Sequence, residues 1–109
     1  MASTINESPF IGTELKLNIH IEPIGQITMD DYGFEVEVYC SPKRPVMATK
    51  NDMIRVDSDN YIVLVDTNEV GAGDLKCKVT AYIPDGDFPD ELRTEVVNID
   101  TGINIIKSL

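Results

Sequence analysis

The sequence predicts an all-β protein, an immunoglobulin-like Greek-key β-sandwich of about seven or eight antiparallel strands. Three observations favour this fold class. Apolar and polar residues alternate over several short runs, which is typical of half-buried antiparallel strands. Turn-forming residues separate these runs at intervals of roughly ten residues. No window of the chain carries a sustained helical periodicity, and a small β-barrel is the main alternative fold.

The alternation is clearest in three runs, ELKLNIHIE (14–22), GFEVEVYC (33–40) and DLKCKVTAYI (74–83). Every second residue in these runs is apolar, so one face of each strand is predicted to enter the core. Weaker strands are predicted at 45–50, 52–56, 60–67, 93–100 and 103–107.

Three local features refine this pattern. The run 60–67 is apolar on both faces from Tyr61 to Val65, which suits a central strand. DTNEVG (66–71) favours a single helical turn that ends at a glycine. Thr101 and Gly102 join the last two predicted strands as a turn or bulge.

The chain lacks the sequence markers of antibody domains. It has no tryptophan, and Leu75 lies two residues before Cys77 where antibody domains have a tyrosine. The sandwich is therefore immunoglobulin-like in architecture only.

The length of 109 residues corresponds to one domain, which we divide into an N-terminal arm (1–12) and a β-sandwich (13–109). Nineteen acidic and nine basic residues give a net charge of −10. Such a surface repels phosphates and anionic lipids, so neither nucleic acid nor membrane is expected as a partner. We recognise no signal peptide and no run long enough to span a membrane. The protein is therefore expected in a cytosol-like compartment.

The two cysteines, Cys40 and Cys77, both fall on the apolar faces of predicted strands. In a reducing compartment they are expected to be buried thiols. A disulfide between them remains open as the alternative, because sequence spacing does not decide the distance between them.

The most unusual segment is IPDGDFPDELRTEV (83–96), which holds five carboxylates. It fails the spacing of a helix-loop-helix calcium site, because counting from Asp85 puts Pro89 at position 5 and Val96 at position 12. A looser calcium site stays open as an alternative. A pair of catalytic acids needs a cleft that separates their pKa values, and a small sandwich without insertions offers little room for one.

We therefore interpret the segment as a structural loop that connects two strands, with Asp85, Asp87, Phe88, Pro89 and Arg93 as its candidate residues. Phe88, or alternatively Leu92, is expected to pin the loop to the sandwich. Burial of that kind means that Phe88→Ala costs about 2–4 kcal/mol. Arg93 is expected to meet a nearby carboxylate, and Asp87→Asn is expected to change little.

Other chemistry-bearing residues do not form a recognisable site in the sequence. The single histidine, His20, lies on the polar face of a predicted strand. Zinc sites need closely spaced Cys and His ligands, and only three such residues occur, far apart. The glycines of GAGD (71–74) precede a strand and not the helix that a phosphate loop requires. No catalytic residue, metal or cofactor is predicted, and the protein is expected not to be an enzyme.

Two features favour a subunit of an assembly. SPKRPVMATK (41–50) contains Lys43, Arg44 and Lys50, a third of all basic residues. The segment is either a solubilising loop or a positive patch that docks on an acidic neighbour. Phe10 and Ile11 precede the first strand, and INIIKSL is apolar almost to the last residue. Such apolar ends are covered by the domain itself or by a partner.

Residues 57–105 resemble a family of small virion proteins of tailed phages and prophages of gut Bacteroidetes. The resemblance rests on an aspartate-rich turn, VDT, a glycine turn, IPDGDFPD, RTE and TGI. The matching residues are Asp66, Thr67, Gly71, Gly73, Leu75, Pro84, Asp85, Asp87, Phe88, Pro89, Asp90, Arg93, Thr94, Glu95, Thr101 and Gly102. The family pattern leads us to expect glycine after FPD, and this chain has Glu91 at that position.

The resemblance implies a non-enzymatic virion structural protein, a head fibre or capsid-decoration subunit made in the host cytoplasm. Its implied partners are other virion proteins and further copies of itself. A tail or baseplate adaptor is the alternative from the same class. A calcium- or carbohydrate-binding β-sandwich module is the alternative from another class. The family gives the matching residues structural roles.

Overall fold

A computed structural model describes residues 8–41 and 45–107 and confirms the predicted β-sandwich. The described part contains two short 3-10 helices, at Met29–Asp31 and Lys50–Asp52, together with seven strands and one short α-helix. The strands and the α-helix are β1 (Glu14–His20), β2 (Gly33–Tyr39), β3 (Val46–Thr49), β4 (Ile54–Asp57), β5 (Asn60–Asp66), α1 (Thr67–Val70), β6 (Gly73–Pro84) and β7 (Leu92–Ile105). Asp66 caps α1 through a hydrogen bond from the Asn68 amide, and Gly71 ends it, as the sequence predicts.

The strands divide into two antiparallel sheets. One sheet has the order β1-β5-β4 and the other has the order β3-β2-β6-β7. The chain passes from one sheet to the other after β1, after β3 and after β5, which produces the Greek-key connectivity. Because the strands form two separate sheets, the alternative of a small barrel is wrong. Strand β5 lies between β1 and β4, which confirms that the doubly apolar run is a central strand.

The core lies between the two sheets, and the apolar residues at every second position of the strands form it. The three clearest runs supply most of it: Leu17, Ile19, Phe34, Val36, Val38, Leu75, Cys77, Val79, Ala81 and Ile83 are all buried. Strand β5 adds every second residue, Tyr61, Val63 and Val65. Burial of one large aliphatic side chain stabilises the folded state by about 1.5–3 kcal/mol, so these inward faces are the main driving force for the fold.

Strand β7 is a single strand of 14 residues, whereas the sequence suggests two strands at 93–100 and 103–107. The predicted irregularity is nevertheless present. The register with β6 shifts between Asp74 and Lys76, opposite Thr101 and Gly102. The Thr101 hydroxyl donates to the carbonyl oxygen of Leu75 at 2.8 Å, and Gly102 takes a left-handed φ of 74° that suits glycine. The bulge bends β7 without ending it.

Lys50 joins the two connections at one end of the sandwich. Its ammonium donates to the carbonyl oxygens of Met29, Asp30 and Tyr32 at 2.8, 3.1 and 2.9 Å. Those carbonyls belong to the β1–β2 connection, whereas Lys50 itself lies in the β3–β4 connection. The ammonium also lies 5.7 Å from the centre of the Phe34 ring, within the range of a cation–π interaction.

Asp30 extends this contact into a polar cluster of Asp30, Lys50, Arg55 and Tyr61. The Arg55 guanidinium donates twice to the Asp30 carboxylate, at 2.9 and 2.7 Å. The Tyr61 hydroxyl donates to the same carboxylate at 2.5 Å. These hydrogen bonds from Arg55 and Tyr61 lower the pKa of Asp30 from its ordinary 3.8 to about 2. The polar cluster therefore ties the β1–β2 connection to β4 and β5.

The polar cluster predicts a specific acid sensitivity. Because the pKa of Asp30 is lower in the folded than in the unfolded state, its stabilising contribution is complete above pH about 4 and disappears as the pH falls towards 2. Asp30→Asn is therefore expected to lower the melting temperature at pH 7, with the wild type and the variant converging near pH 2. Thermal melts of both proteins between pH 2 and pH 7 measure this difference.

Asp87→Asn is the matched control, since the same charge is removed from an exposed loop position. A gap between wild type and Asp30→Asn that stays constant over the whole pH range would contradict the role of the ionised carboxylate.

Candidate functional site

The acidic loop between β6 and β7, residues 85–91, closes on itself through backbone hydrogen bonds. The amide of Asp85 donates to the carbonyl of Glu91 at 2.9 Å, and the amide of Glu91 donates to the carbonyl of Phe88 at 2.9 Å. The Asp85 carboxylate accepts the amide of Asp87 at 3.1 Å. Pro84 and Leu92 are the last paired residues of the two strands. The loop is thus a shaped connection between neighbouring strands, as predicted.

Arg93 meets two carboxylates, which confirms its predicted pairing. It donates to the Asp85 carboxylate at 2.9 Å and lies 3.3 Å from a Glu95 oxygen. The Asp85 side chain is 19% exposed, so this ion pair is better shielded from solvent than an ordinary surface pair. Asp85 thereby links the start of the loop to the start of β7.

The prediction that Phe88 or Leu92 pins the loop to the sandwich is wrong. Phe88 is 43% exposed and Leu92 is 41% exposed. Because the backbone hydrogen bonds and the Asp85–Arg93 pair already hold the loop, it projects beyond the core and needs no apolar anchor. Glu91, where the resemblance leads us to expect glycine, takes a left-handed φ of 62°. That conformation explains the preference for glycine there.

The carboxylates of the loop do not converge on a common point. Asp85 faces Arg93, while the Asp90 carboxylate accepts the amide of Leu92 at 3.3 Å. Over residues 8–41 and 45–107, no group of three or more His, Cys, Asp or Glu side chains is placed to hold a metal ion. Asp87 and Pro89 lie in the exposed tip of the loop.

The predicted docking patch is only partly described. Lys43 and Arg44 lie outside the described residues. The ammonium of Lys50 faces its own chain, where it contacts the three carbonyl oxygens of the β1–β2 connection. Docking of a partner at this patch remains a prediction, but Lys50 also has a structural role that its sequence context did not indicate.

Phe10 and Ile11 lie beside the end of β7. Phe10 forms a parallel bridge with Ile106, and the amide of Ile11 donates to the carbonyl of Ile106 at 2.9 Å. Phe10 is 54% exposed, whereas Ile11 packs partly against the core. Phe10 therefore exposes apolar surface, while Ile11 helps to hold the end of the arm against the sandwich.

His20 and the two cysteines have local roles. Hydrogen bonds from the His20 ring to Glu22 and to Asn60 raise the pKa of His20 on the exposed face of β1. Cys40 and Cys77 are free thiols, so the disulfide alternative is not formed. Cys77 is buried, and burial raises the pKa of its thiol to about 11. A thiol with a raised pKa is a poor nucleophile at neutral pH.

One surface was not identified from the sequence, the apolar outer patch of Ile54, Ile62 and Leu64. Ile54 pairs with Ile62 across β4 and β5, and Leu64 follows two residues later, so the three side chains share the outer face of the three-stranded sheet. Ile54 is 47% exposed and Leu64 is 55% exposed. The outward apolar residues of the run 60–67 are visible in the sequence. A central strand that is covered on both faces would have the same apolar residues, so they do not by themselves indicate an exposed patch.

Comparison with known proteins adds no assignment, because no family model, curated protein or solved structure matches the chain. In the part of the chain that the structure covers, no helix is long and apolar enough to cross a membrane.

The acidic loop yields a test that separates its ion pair from its aromatic side chain. Asp85→Asn is expected to lower the free energy of unfolding by about 1–2 kcal/mol, because the Arg93 guanidinium loses the nearer and better shielded of its two carboxylate partners. Phe88→Ala is expected to cost less than about 1 kcal/mol, since the ring is already half exposed. Urea denaturation at pH 7 measures both changes, with Asp87→Asn as the control.

A larger loss for Phe88→Ala than for Asp85→Asn would contradict this account of the loop. It would mean that the ring anchors the loop after all.

Proposed function

We propose that this protein is a non-enzymatic structural subunit of a phage particle, a head fibre or capsid-decoration protein that assembles with other virion proteins and with copies of itself. The proposal starts from the resemblance of residues 57–105 to small virion proteins. The structure supports it with one observation in particular. Several side chains that carry the resemblance, among them Thr67, Asp85 and Thr101, hold turns, the loop closure and the β7 bulge in place.

Thr67 is an example of such a contact. Its side chain is completely buried, donates to the carbonyl of Thr13 at 2.7 Å and accepts the amide of Gly12 at 2.9 Å. Thr101 holds the bulge of β7, and Asp85 holds the acidic loop through Arg93. Residues used in this way maintain a shape. A sequence pattern that encodes a shape is what a structural subunit needs to retain.

The apolar outer patch supports the assembly part of the proposal. Ile54, Ile62 and Leu64 expose apolar surface on a sheet whose other face already forms the core. Exposed apolar side chains that cluster on a flat sheet are typical of protein–protein contacts. The net charge of −10 keeps such a surface soluble before assembly.

The proposal is tested on purified particles from a culture that produces this chain. Particles that carry the wild-type chain are expected to contain it by mass spectrometry, and gold-labelled antibody is expected to mark the head. Leu64→Glu is expected to reduce its incorporation by about tenfold or more, because a charged side chain replaces apolar surface that the contact would bury. Val96→Glu is the control, since Val96 is 54% exposed and lies outside the patch.

Absence of the wild-type chain from the particles would contradict the virion assignment. Antibody label confined to the tail would contradict the head-fibre function and support the tail or baseplate adaptor. Equal incorporation of Leu64→Glu and the wild type would remove the outer patch from the assembly contact.

A further inference from the structure

The ring of His20 lies between two hydrogen-bond partners at the end of β1. His20 is the last residue of β1 and pairs with Asn60, the first residue of β5. The Nδ1 atom of its ring lies 3.1 Å from the Oδ1 atom of Asn60. The Nε2 atom lies 3.0 Å from a carboxylate oxygen of Glu22, in the connection between β1 and β2. Both ring nitrogens therefore face oxygen atoms.

Two neighbours fix the orientation of the Asn60 side-chain amide. Its Nδ2 group donates to the Asp57 carboxylate at 2.8 Å, and its Oδ1 atom accepts a hydrogen bond from the Asn18 side chain at 2.9 Å. Hydrogen bonds from Asn60 and from the amide of Asp59 lower the pKa of Asp57, so this carboxylate is ionised at neutral pH and only accepts. The oxygen of Asn60 must then face His20, and the Nδ1 atom of His20 must carry a hydrogen.

The second ring nitrogen has the same requirement. The Glu22 carboxylate accepts hydrogen bonds, so the Nε2 atom of His20 must also carry a hydrogen. A neutral imidazole has one N–H group, whereas an imidazolium has two. Both observed contacts are therefore satisfied together only when His20 is protonated.

We propose that His20 is a pH-sensitive switch, which joins Glu22 to Asn60 as an imidazolium and releases Glu22 when the ring loses a proton. The contact to Glu22 is the one that opens, because the Glu22 side chain is 83% exposed and can turn into solvent. Asn60 is held in place by Asp57 and Asn18. The open state thus keeps its ring hydrogen on Nδ1 and leaves Nε2 as an acceptor. The switch does not depend on the proposed virion function.

Charged side chains from several elements lie near the ring. Glu22 and Asp59 both favour the protonated form electrostatically. Glu95 of β7 lines the same hollow as His20 and Glu22, and Arg93 pairs with Glu95. The hydrogen bond to Glu22 is the largest of the effects that raise the pKa of His20 above its ordinary 6.5. A histidine with a moderately raised pKa changes its charge near neutral pH.

The closed state of the switch is favoured by mild acid. The pKa of His20 is higher in the folded than in the unfolded state. The stabilising contribution of the closed contact is therefore complete below the ordinary pKa of 6.5 and is lost as the pH rises through the folded-state pKa. This direction is opposite to that of Asp30, whose contribution is lost in acid.

NMR titration of the ring nitrogens tests the switch directly, since His20 is the single histidine of the chain. Spectra between about pH 5 and pH 9 are expected to give a pKa above 6.5 and, at the alkaline end, a neutral ring with its hydrogen on Nδ1. Glu22→Gln is expected to lower the pKa of His20, because the acceptor loses its charge.

Glu14→Gln is the matched control for Glu22→Gln. Glu14 is exposed at the other end of β1, roughly 20 Å from His20 along the strand. This distance exceeds the screening length of about 8 Å at physiological salt, so the pKa of His20 is expected to stay unchanged. In thermal melts, Glu22→Gln is expected to melt below Glu14→Gln near pH 6 and together with it near pH 9.

Three results would overturn the proposal. A wild-type pKa of His20 at or below 6.5 would mean that the ring is not held as an imidazolium. A neutral ring with its hydrogen on Nε2 would mean that the Glu22 contact survives the loss of the proton. A difference in melting temperature between the two variants that does not change with pH would mean that this contact is independent of the charge on His20.

Discussion

The ammonium of Lys50 is the contact on which the arrangement of this sandwich depends. Three carbonyl oxygens converge on it at 2.8–3.1 Å. They belong to the connection between β1 and β2, and Lys50 belongs to the connection between β3 and β4. Both connections cross from one sheet to the other, so a single cation fixes their mutual position. Hydrogen bonds to a charged donor are stronger than neutral ones, and Phe34 and Tyr61 place aromatic rings within 6 Å of the same charge.

Contacts between residues that are close in the sequence can be predicted from it, whereas contacts between distant residues cannot. The strands and their inward faces were predicted because alternation is a local property. The Arg93–Asp85 pair was predicted in outline, since its partners are eight residues apart. The role of Lys50 was not predicted, because its partners lie 18–21 residues away and nothing near Lys50 in the chain marks them. A basic residue in a proline-flanked loop has the same sequence signature whether it faces solvent or three carbonyl oxygens.

Phe88 shows the opposite error. A lone aromatic residue among carboxylates predicts an apolar anchor, but the loop is closed by backbone hydrogen bonds and by the Asp85 carboxylate. The ring is therefore free to remain exposed. The same ambiguity hid the apolar outer patch, because an apolar residue on the second face of a strand predicts burial as readily as it predicts a contact surface. Whether such a residue is buried or exposed depends on what covers that face of the sheet, and the sequence of the strand does not show this.

Two groups of charged side chains act within the fold of the molecule itself. The polar cluster and the acidic loop use their charges to join segments of the chain, with ion pairs at Arg55–Asp30 and Arg93–Asp85. Exposed apolar side chains lie at the outer patch and at Phe10. These charged groups therefore maintain the fold, whereas the apolar side chains of the outer patch and of Phe10 remain exposed.

The central claim is that Lys50 holds the two inter-sheet connections together, and a comparison of two lysine variants tests it most directly. Urea denaturation at pH 7 is expected to show that Lys50→Met lowers the free energy of unfolding by about 2–3 kcal/mol, because three carbonyl oxygens, two of them in partly buried contacts, lose a charged donor. Lys76→Met removes the same charge from an exposed position on β6 and is expected to change the stability by less than about 0.5 kcal/mol. Equal effects of the two substitutions would contradict the claim.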